Sequence, residues 1–224
     1  PIVAITGTNG KTTTTRLTAH IYRQTDKVVG FTANDGIYIQ EYLVEQGDNT
    51  GPYSAGAILK DPTVEVAVLE TARGGILRSG LAFDSCDVGV VLNVAADHLG
   101  LGGIDTIEQM AKVKAVVAET VKADGHAILN ADDPLVAAMA EKLNCNVAYF
   151  SMNPDNPIII EHSRRNGLAA VYEHGYLSIL EGKWTLMIEK AINIPMTMGG
   201  KAPFMIANAL ASCLATFAQG VDIE

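Results

Sequence analysis

Four short apolar runs recur through the first two-thirds of the chain, each ending on a polar residue or a glycine. IVAIT runs into Gly7, VAVL into Glu70, GVVL into Asn93 and HAIL into Asn130. Unbroken apolar stretches of this length mark strands buried on both faces of a parallel sheet. Between them the spacing predicts helices over 12–24, 55–59, 106–122 and 134–143, and NVAYFS reads as one more strand. Strands alternating with helices in this way argue for a doubly wound, mostly parallel α/β sheet. Gly7, Glu70, Asn93 and Asn130 then fall at the carboxyl ends of their strands, where such sheets collect ligands.

After Asn153 the pattern changes. Apolar and polar residues alternate from Gly167 to Met196, with turn signals at His174-Gly175 and Glu181-Gly182. Three or four antiparallel strands beside the parallel sheet are expected, and FMIANALASCLATFA reads as a closing helix. The expected organisation is a domain over 1–224, with a parallel α/β core at 1–152, antiparallel strands at 153–202 and the closing helix at 203–219.

Composition narrows the function classes. The 224 residues are 48% hydrophobic and 18% charged, enough for a sizeable core. A net charge of −9 without a basic stripe argues against a nucleic-acid partner. No apolar run approaches the roughly 18 residues that span a bilayer, so no membrane partner is expected. Cys86, Cys145 and Cys213 are odd in number and lack a CxxC pair, so they read as reduced core residues of a cytoplasmic protein. The chain opens on Pro1 and goes straight into a strand, and is expected to be a piece of something longer.

Chemistry concentrates in a few stretches. Gly7-Thr8-Asn9-Gly10-Lys11-Thr12-Thr13 sits between a strand and a helix. Backbone N–H groups in such a turn cradle phosphate oxygens at the helix amino terminus. Lys11 would reach the outer phosphates and the Thr12 hydroxyl would ligate Mg²⁺. The first glycine comes too late for GxxxxGK[ST], so this is a shortened phosphate loop, and ATP is the expected ligand. Glu70, ending a buried strand, needs a partner there; Mg²⁺ is one, and a salt bridge is another. Arg73 and Arg78 follow, either to hold an anionic substrate or as solvated cations. In NVAADHLG, His98 could bind a second metal with Asp97 or a backbone carbonyl orienting it, or the pair could simply form a cap or turn. ILNADDP offers Asn130 to adenine or ribose, or to a turn, and Asp132 or Asp133 as a helix N-cap before Pro134.

Helical periodicity over 106–122 aligns Ile107, Met110, Lys114, Val117 and Val121 on one stripe, with Glu108, Lys112, Glu119 and Lys122 opposite. Lys114 is therefore expected on the buried face. A buried amine loses proton affinity and reacts with carbon dioxide to give a carbamate anion. The alternative is a lysine whose stem is covered and whose ammonium snorkels to water.

In order, TGTNGKTT, a Glu after an apolar strand, NVAADHLG, TIEQMAKVK and LNADDP resemble the ATP-binding central domain of the Mur ligase superfamily. That superfamily includes the murein peptide ligases and folylpolyglutamate synthetase. The phrases DGIYI, GDNTGPYSAGAILKDP, LETARGGILRSGLAFDSCDVGVVLNVAADHLGL and MIANALA are similar to its branch that makes the arginine-bearing poly-aspartate cyanophycin. The resemblance implies a reaction in which ATP phosphorylates the β-carboxylate of the polymer primer. The α-amine of L-arginine then attacks the acyl phosphate, giving an amide, ADP and phosphate. It also implies an ATP-grasp region that adds L-aspartate and a carboxy-terminal domain that helps bind the incoming amino acid. Both lie outside these residues, and the full-length enzyme is expected to be a homo-oligomer.

Roles carried over by the resemblance are specific. Gly7, Thr8, Asn9, Gly10, Lys11, Thr12 and Thr13 hold ATP, and Asn130 contacts its base. Thr12 and Glu70 serve one Mg²⁺, His98 a second, and Lys114 is carried as a carbamate. Lys11, Glu70, His98 and Lys114 form the catalytic set, and Ser54 stands near the metals. Many murein ligases place a His-Asn pair before the Asn of their last central helix. Aligning on Asn208 puts Phe204-Met205 there, so the alignment supports no nucleotide or linker contact at that point. Other readings are a folylpolyglutamate- or murein-type ligase, a small-molecule kinase, and a nucleotide-binding module without catalysis.

Overall fold

The structure is a computed structural model and describes residues 1–96, 100 and 102–222. The first strand, β1 (Ile2–Thr6), buries Val3, Ala4 and Ile5 completely and leads through a short loop into α1 (Lys11–Arg23). The chain then makes a meander of β2 (Val29–Ala33), β3 (Gly36–Ile39) and β4 (Tyr42–Gln46) before α2 (Pro52–Lys60). β5 (Val66–Glu70), α3 (Arg73–Ser79), β6 (Cys86–Val91), α4 (Ile107–Glu119) and β7 (Val121–Asn130) follow. Next come α5 (Pro134–Ala137), β8 (Asn146–Ser151), α6 (Pro157–Arg164) and β9 (Leu168–Glu173), then β10 (Tyr176–Glu181), β11 (Trp184–Lys190) and α7 (Pro203–Phe217).

Among the described residues eleven strands form one sheet, ordered β11-β10-β9-β8-β7-β6-β1-β5-β2-β3-β4. From β9 through β2 every neighbouring pair is parallel. An antiparallel extension closes each end: β10 and β11 on one side, β3 and β4 on the other. Helices cover both faces. On one, Ala19 and Tyr22 of α1 and Leu210 and Leu214 of α7 pack against Val3, Ile5, Val88 and Val90. On the other, Met110 and Ala118 of α4 and Val136 of α5 pack against Val91 and Leu129. Each fully buried side chain of this size contributes about 1.5–3 kcal/mol, which is why the strands read as unbroken apolar runs.

The architecture matches the expected doubly wound α/β class, with local differences. The β2–β4 meander, α3 and α6 were not anticipated. The antiparallel part of the late segment starts at β10, because α6 acts as a crossover that returns β9 parallel to β8. The helix expected over 106–122 ends at Glu119, since Val121 already pairs with Cys86 in the sheet. The segment 134–143 divides into α5 and a 3-10 turn over Ala138–Lys142. His174-Gly175 turns β9 into β10 with both residues at positive φ, which pre-twists the hairpin in the right sense. Among the described residues no helix is long and apolar enough to cross a membrane.

Candidate active site

The carboxyl ends of β1, β5 and β6 lie side by side, and the loop after β1 is held between them. Gly7 must be a glycine: a Cβ there would come within 2.9 Å of the Leu92 Cβ. Gly10 caps α1 in the left-handed region at φ 86, and a Cβ on it would overlap the Asn208 side chain. Asn93, just past β6, brackets the loop from outside. Its Oδ1 accepts from Asn9 N at 2.8 Å, its Nδ2 donates to Asn9 O at 3.1 Å, and its carbonyl accepts from Thr8 N at 3.0 Å. Ala95 N donates to the Thr8 hydroxyl at 2.9 Å, which completes the staple.

Lys11 and Thr12 open α1. Lys11 Nζ donates to the Thr8 carbonyl at 2.9 Å, which curls the ammonium over the loop. The Thr12 hydroxyl donates to Glu70 Oε1 at 3.1 Å, while Thr13 is half-buried in the same turn. Glu70 is 4% exposed; its Oε2 accepts from Asn34 N at 3.3 Å and its own N–H donates to Thr32 Oγ1. Burial pushes its carboxyl above the ordinary range, with the Thr12 hydrogen bond and the Lys11 charge pulling the other way. Among the described residues no three His, Cys, Asp or Glu side chains cluster as metal ligands. The Thr12–Glu70 pair instead offers two hard oxygens beside a phosphate-shaped loop. That donor set fits Mg²⁺, which takes few protein ligands and completes its shell with water and phosphate oxygens.

Lys114 lies on the buried face of α4, with 3% of its surface exposed, beside Met110, Ala111, Ala115, Val117 and Ala118. Glu108, Lys112 and Glu119 are exposed on the other side, and a Thr106–Gln109 capping box fixes the start of the helix. A cavity of about 240 Å³ is lined by Gly7, Thr8 and Lys11 of the loop, Arg73 of α3, and Met110 and Lys114 of α4. Lys114 therefore borders the space that the phosphate loop encloses rather than reaching out to water. Arg78 is exposed at the far end of α3. Asp97 and His98 lie outside the described residues.

A second cavity of about 120 Å³ adjoins the loop and is lined by Asn9, Gly10, Asn130, Phe150, Phe204 and Asn208, among others. Asn130 serves a turn: its Oδ1 accepts from Asp132 N at 2.9 Å and its Nδ2 donates to Leu92 O at 2.8 Å. Its amide still borders the cavity, so the two roles share one side chain. Asp133 is the N-cap of α5, accepting from Leu135 N and Val136 N. Asp132 instead binds Asn156 Nδ2 and Met152 N. Ser54 is buried and donates to Asn49 Oδ1 at 2.6 Å, within the turn that leads into α2.

Asn93, expected at the carboxyl edge of the sheet where ligands collect, also brackets the loop. Two residues of this region were not anticipated as contributors. Phe204, 63% exposed at the start of α7, borders the second cavity. Asn208 packs on Gly10 from a position 198 residues away in sequence, a closeness that only the folded sheet creates.

The Mur ligase middle domain family model matches residues 5–216. The chain belongs to this family. Over its whole length it is 81% identical to a cyanophycin synthetase from Crocosphaera subtropica and 77% identical to one from Synechocystis sp.. It spans 26% of the length of each, so about a quarter of those relatives is represented here. A solved UDP-N-acetylmuramoyl-L-alanyl-D-glutamate–2,6-diaminopimelate ligase superposes with a TM-score of 0.71 at 20% identity. That superposition covers 99% of this Mur ligase middle domain and 44% of the other chain. The likeness at that identity is one of fold.

Proposed function

We propose that this Mur ligase middle domain is the ATP-binding domain of an arginine-adding ligase that decorates a poly-aspartate backbone, as in cyanophycin synthesis. The observation that carries the reading is the cavity shared by the phosphate loop, Arg73 and the buried Lys114. The 81% identity to a cyanophycin synthetase supports the choice of substrates.

On this reading Gly7 to Thr13 hold the ATP phosphates, with Lys11 on the β- and γ-phosphates. Thr12 and Glu70 would hold Mg²⁺, and His98 with a carbamylated Lys114 would hold a second ion. The ions, when bound, neutralise phosphate charge during in-line transfer. The carbamate forms when the neutral Lys114 amine attacks the carbon of CO₂; a C–N bond is made and one proton leaves to solvent. Arg73 holds the acceptor carboxylate beside the γ-phosphate. A carboxylate oxygen displaces ADP, giving an acyl phosphate. The arginine α-ammonium loses one proton to solvent, and the neutral amine attacks the acyl carbon. The C–O bond breaks with its pair going to phosphate, and a second amine proton passes to that leaving phosphate. The purine lies in the second cavity between Asn130 and the ring of Phe204. The three cysteines are free, which fits a reducing, cytoplasmic setting.

The test uses the full-length enzyme with ATP, L-arginine and an aspartate-terminated primer. ADP release and arginine incorporation should be equal, and Lys11→Ala should abolish both. Incorporation unaffected by Lys11→Ala would overturn the reading. ATP turnover driven by a folate with glutamate, or by a muropeptide, would move the domain to those ligases.

A further inference from the structure

Among the described residues both ends of the eleven-stranded sheet are open, and they differ in chemistry. β11 exposes Trp184, Leu186 and Met187 between Lys183 and Lys190. β4 exposes all five of its residues, including Tyr42 at 79% and Val44 at 60%. Its charged neighbours along the chain are the exposed acids Glu41, Glu45 and Asp48, and no Lys or Arg occurs from residue 41 to residue 59. The cations that approach from α1 are Arg23, 3.9 Å from Glu41, and Arg16, which is paired with Asp35. Edge strands present unpaired N–H and C=O groups and are commonly blunted by Lys or Pro. This strand has neither.

β4 also leads to the active-site cavity. Gly47, the residue after it, donates to the Asp35 carbonyl at 3.1 Å, and the neighbouring Asn34 N–H donates to Glu70. Three residues further on, the Thr50 carbonyl accepts from Ala72 N at 3.2 Å, and Ala72 is part of the cavity wall.

We infer that β4 is the track on which the acceptor polymer is laid, as an extended, guanidinium-bearing polyamide that adds to the sheet as a further strand. This rests on the arginine-adding reading above. Backbone pairing would supply affinity without side-chain selectivity. Glu41, Glu45 and Asp48 would receive the guanidinium groups, and the Tyr42 ring would stack on one. The carboxylate end of the polymer is thereby delivered toward Arg73. A second copy of the chain is a poorer occupant, since acid would face acid. A bulge, with Glu45 opposite Ile37 but Leu43 opposite Tyr38, also twists the edge against long pairing between copies.

The test compares the full-length enzyme with a Tyr42→Ser, Glu45→Lys double variant, and with Trp184→Ser on β11 as control. The double variant should raise the primer KM about tenfold, with the KM values for ATP and arginine within about twofold of wild type. It should also lose part of the salt dependence of primer KM, and the assembly mass from light scattering should not change. Trp184→Ser should leave primer KM unaltered. An unchanged primer KM in the double variant overturns the inference, as does a parallel rise in the ATP KM. A smaller assembly mass would assign β4 to contact between copies instead. Failure of the wild-type enzyme to add arginine to the primer would overturn the functional reading first, and the track with it.

Discussion

The Thr12 hydroxyl donates to Glu70 Oε1 across 3.1 Å, tying the first turn of α1 to the last residue of β5. Burial raises the Glu70 carboxyl, so the folded chain holds that proton more tightly than the unfolded chain does. Stability from this group is therefore lost as pH rises from the ordinary carboxylate value through the raised one. Glu70→Gln removes the penalty, with the amide oxygen accepting from Asn34 N and the amide nitrogen donating to the Thr12 hydroxyl. Its melting temperature at neutral pH should rise by a few degrees, and Mg²⁺-dependent ADP affinity should fall roughly tenfold or more. Thermal melts and calorimetry check the two halves, and a lower melting temperature would contradict the electrostatic account.

Asn93→Ala removes both side-chain bonds to the Asn9 peptide. The expected cost is about 1–2 kcal/mol of stability, and a loosened loop should raise the ATP KM more than it lowers kcat. Urea melts and steady-state kinetics separate these effects. A variant with normal ATP KM would show that the loop keeps its shape without the bracket.

Gly10→Ala meets two obstacles, a positive φ and the Asn208 side chain. The strain alone costs about 1–2 kcal/mol, and the overlap adds to it. Asn208→Ala in the same chain should relieve the second part only, so a double-mutant cycle should give a favourable coupling of about 1 kcal/mol. Additivity in that cycle would mean that the loop shifts to avoid Asn208.

Phe204→Ala should weaken ATP binding by about 1–3 kcal/mol if the purine stacks on this ring, and Phe204→Trp should restore most of it. Binding of inorganic triphosphate, which has no base, should be unaltered in both variants. Equal losses for ATP and triphosphate would remove the ring from the base site.

Lys114→Ala should abolish ligase activity while preserving nucleotide binding within about threefold, because Lys11 and the loop amides remain. In ¹³C-bicarbonate the wild-type chain should give a carbamate carbon resonance that the variant lacks. Its absence from the wild type would leave Lys114 as an ammonium in the cavity wall.

Much of the candidate site's local geometry was legible because its signals are local. The Gly-Lys-Thr turn follows an apolar strand directly, and the stripe through Met110, Lys114 and Val117 follows from helical period alone. What escaped depends on pairing or packing. Gln40, at φ 55, makes the turn between β3 and β4 without the Gly or Asn that signals one. Arg73-Gly74-Gly75 looks too flexible for a helix. Gly75 is nevertheless small for a reason: a Cβ would come within 3.0 Å of the Gly51 Cα, so α3 forms by close approach to the start of α2. Asn156-Pro157 is a readable N-cap and first helical position for α6, obscured by the alternation that follows it. Phe204 and Asn208 reach the loop only because α7 crosses the sheet beside α1, which no sequence spacing records.

The staple on the loop has a thermodynamic consequence. With the Thr8 and Asn9 N–H groups already donating to Asn93, the loop is held in shape and a nucleotide meets the remaining amides at the start of α1 with little further ordering. Association should therefore sacrifice little conformational entropy and proceed with a small change in heat capacity. Discrimination between nucleotides would then rest on contacts within a preformed mould rather than on the cost of shaping it.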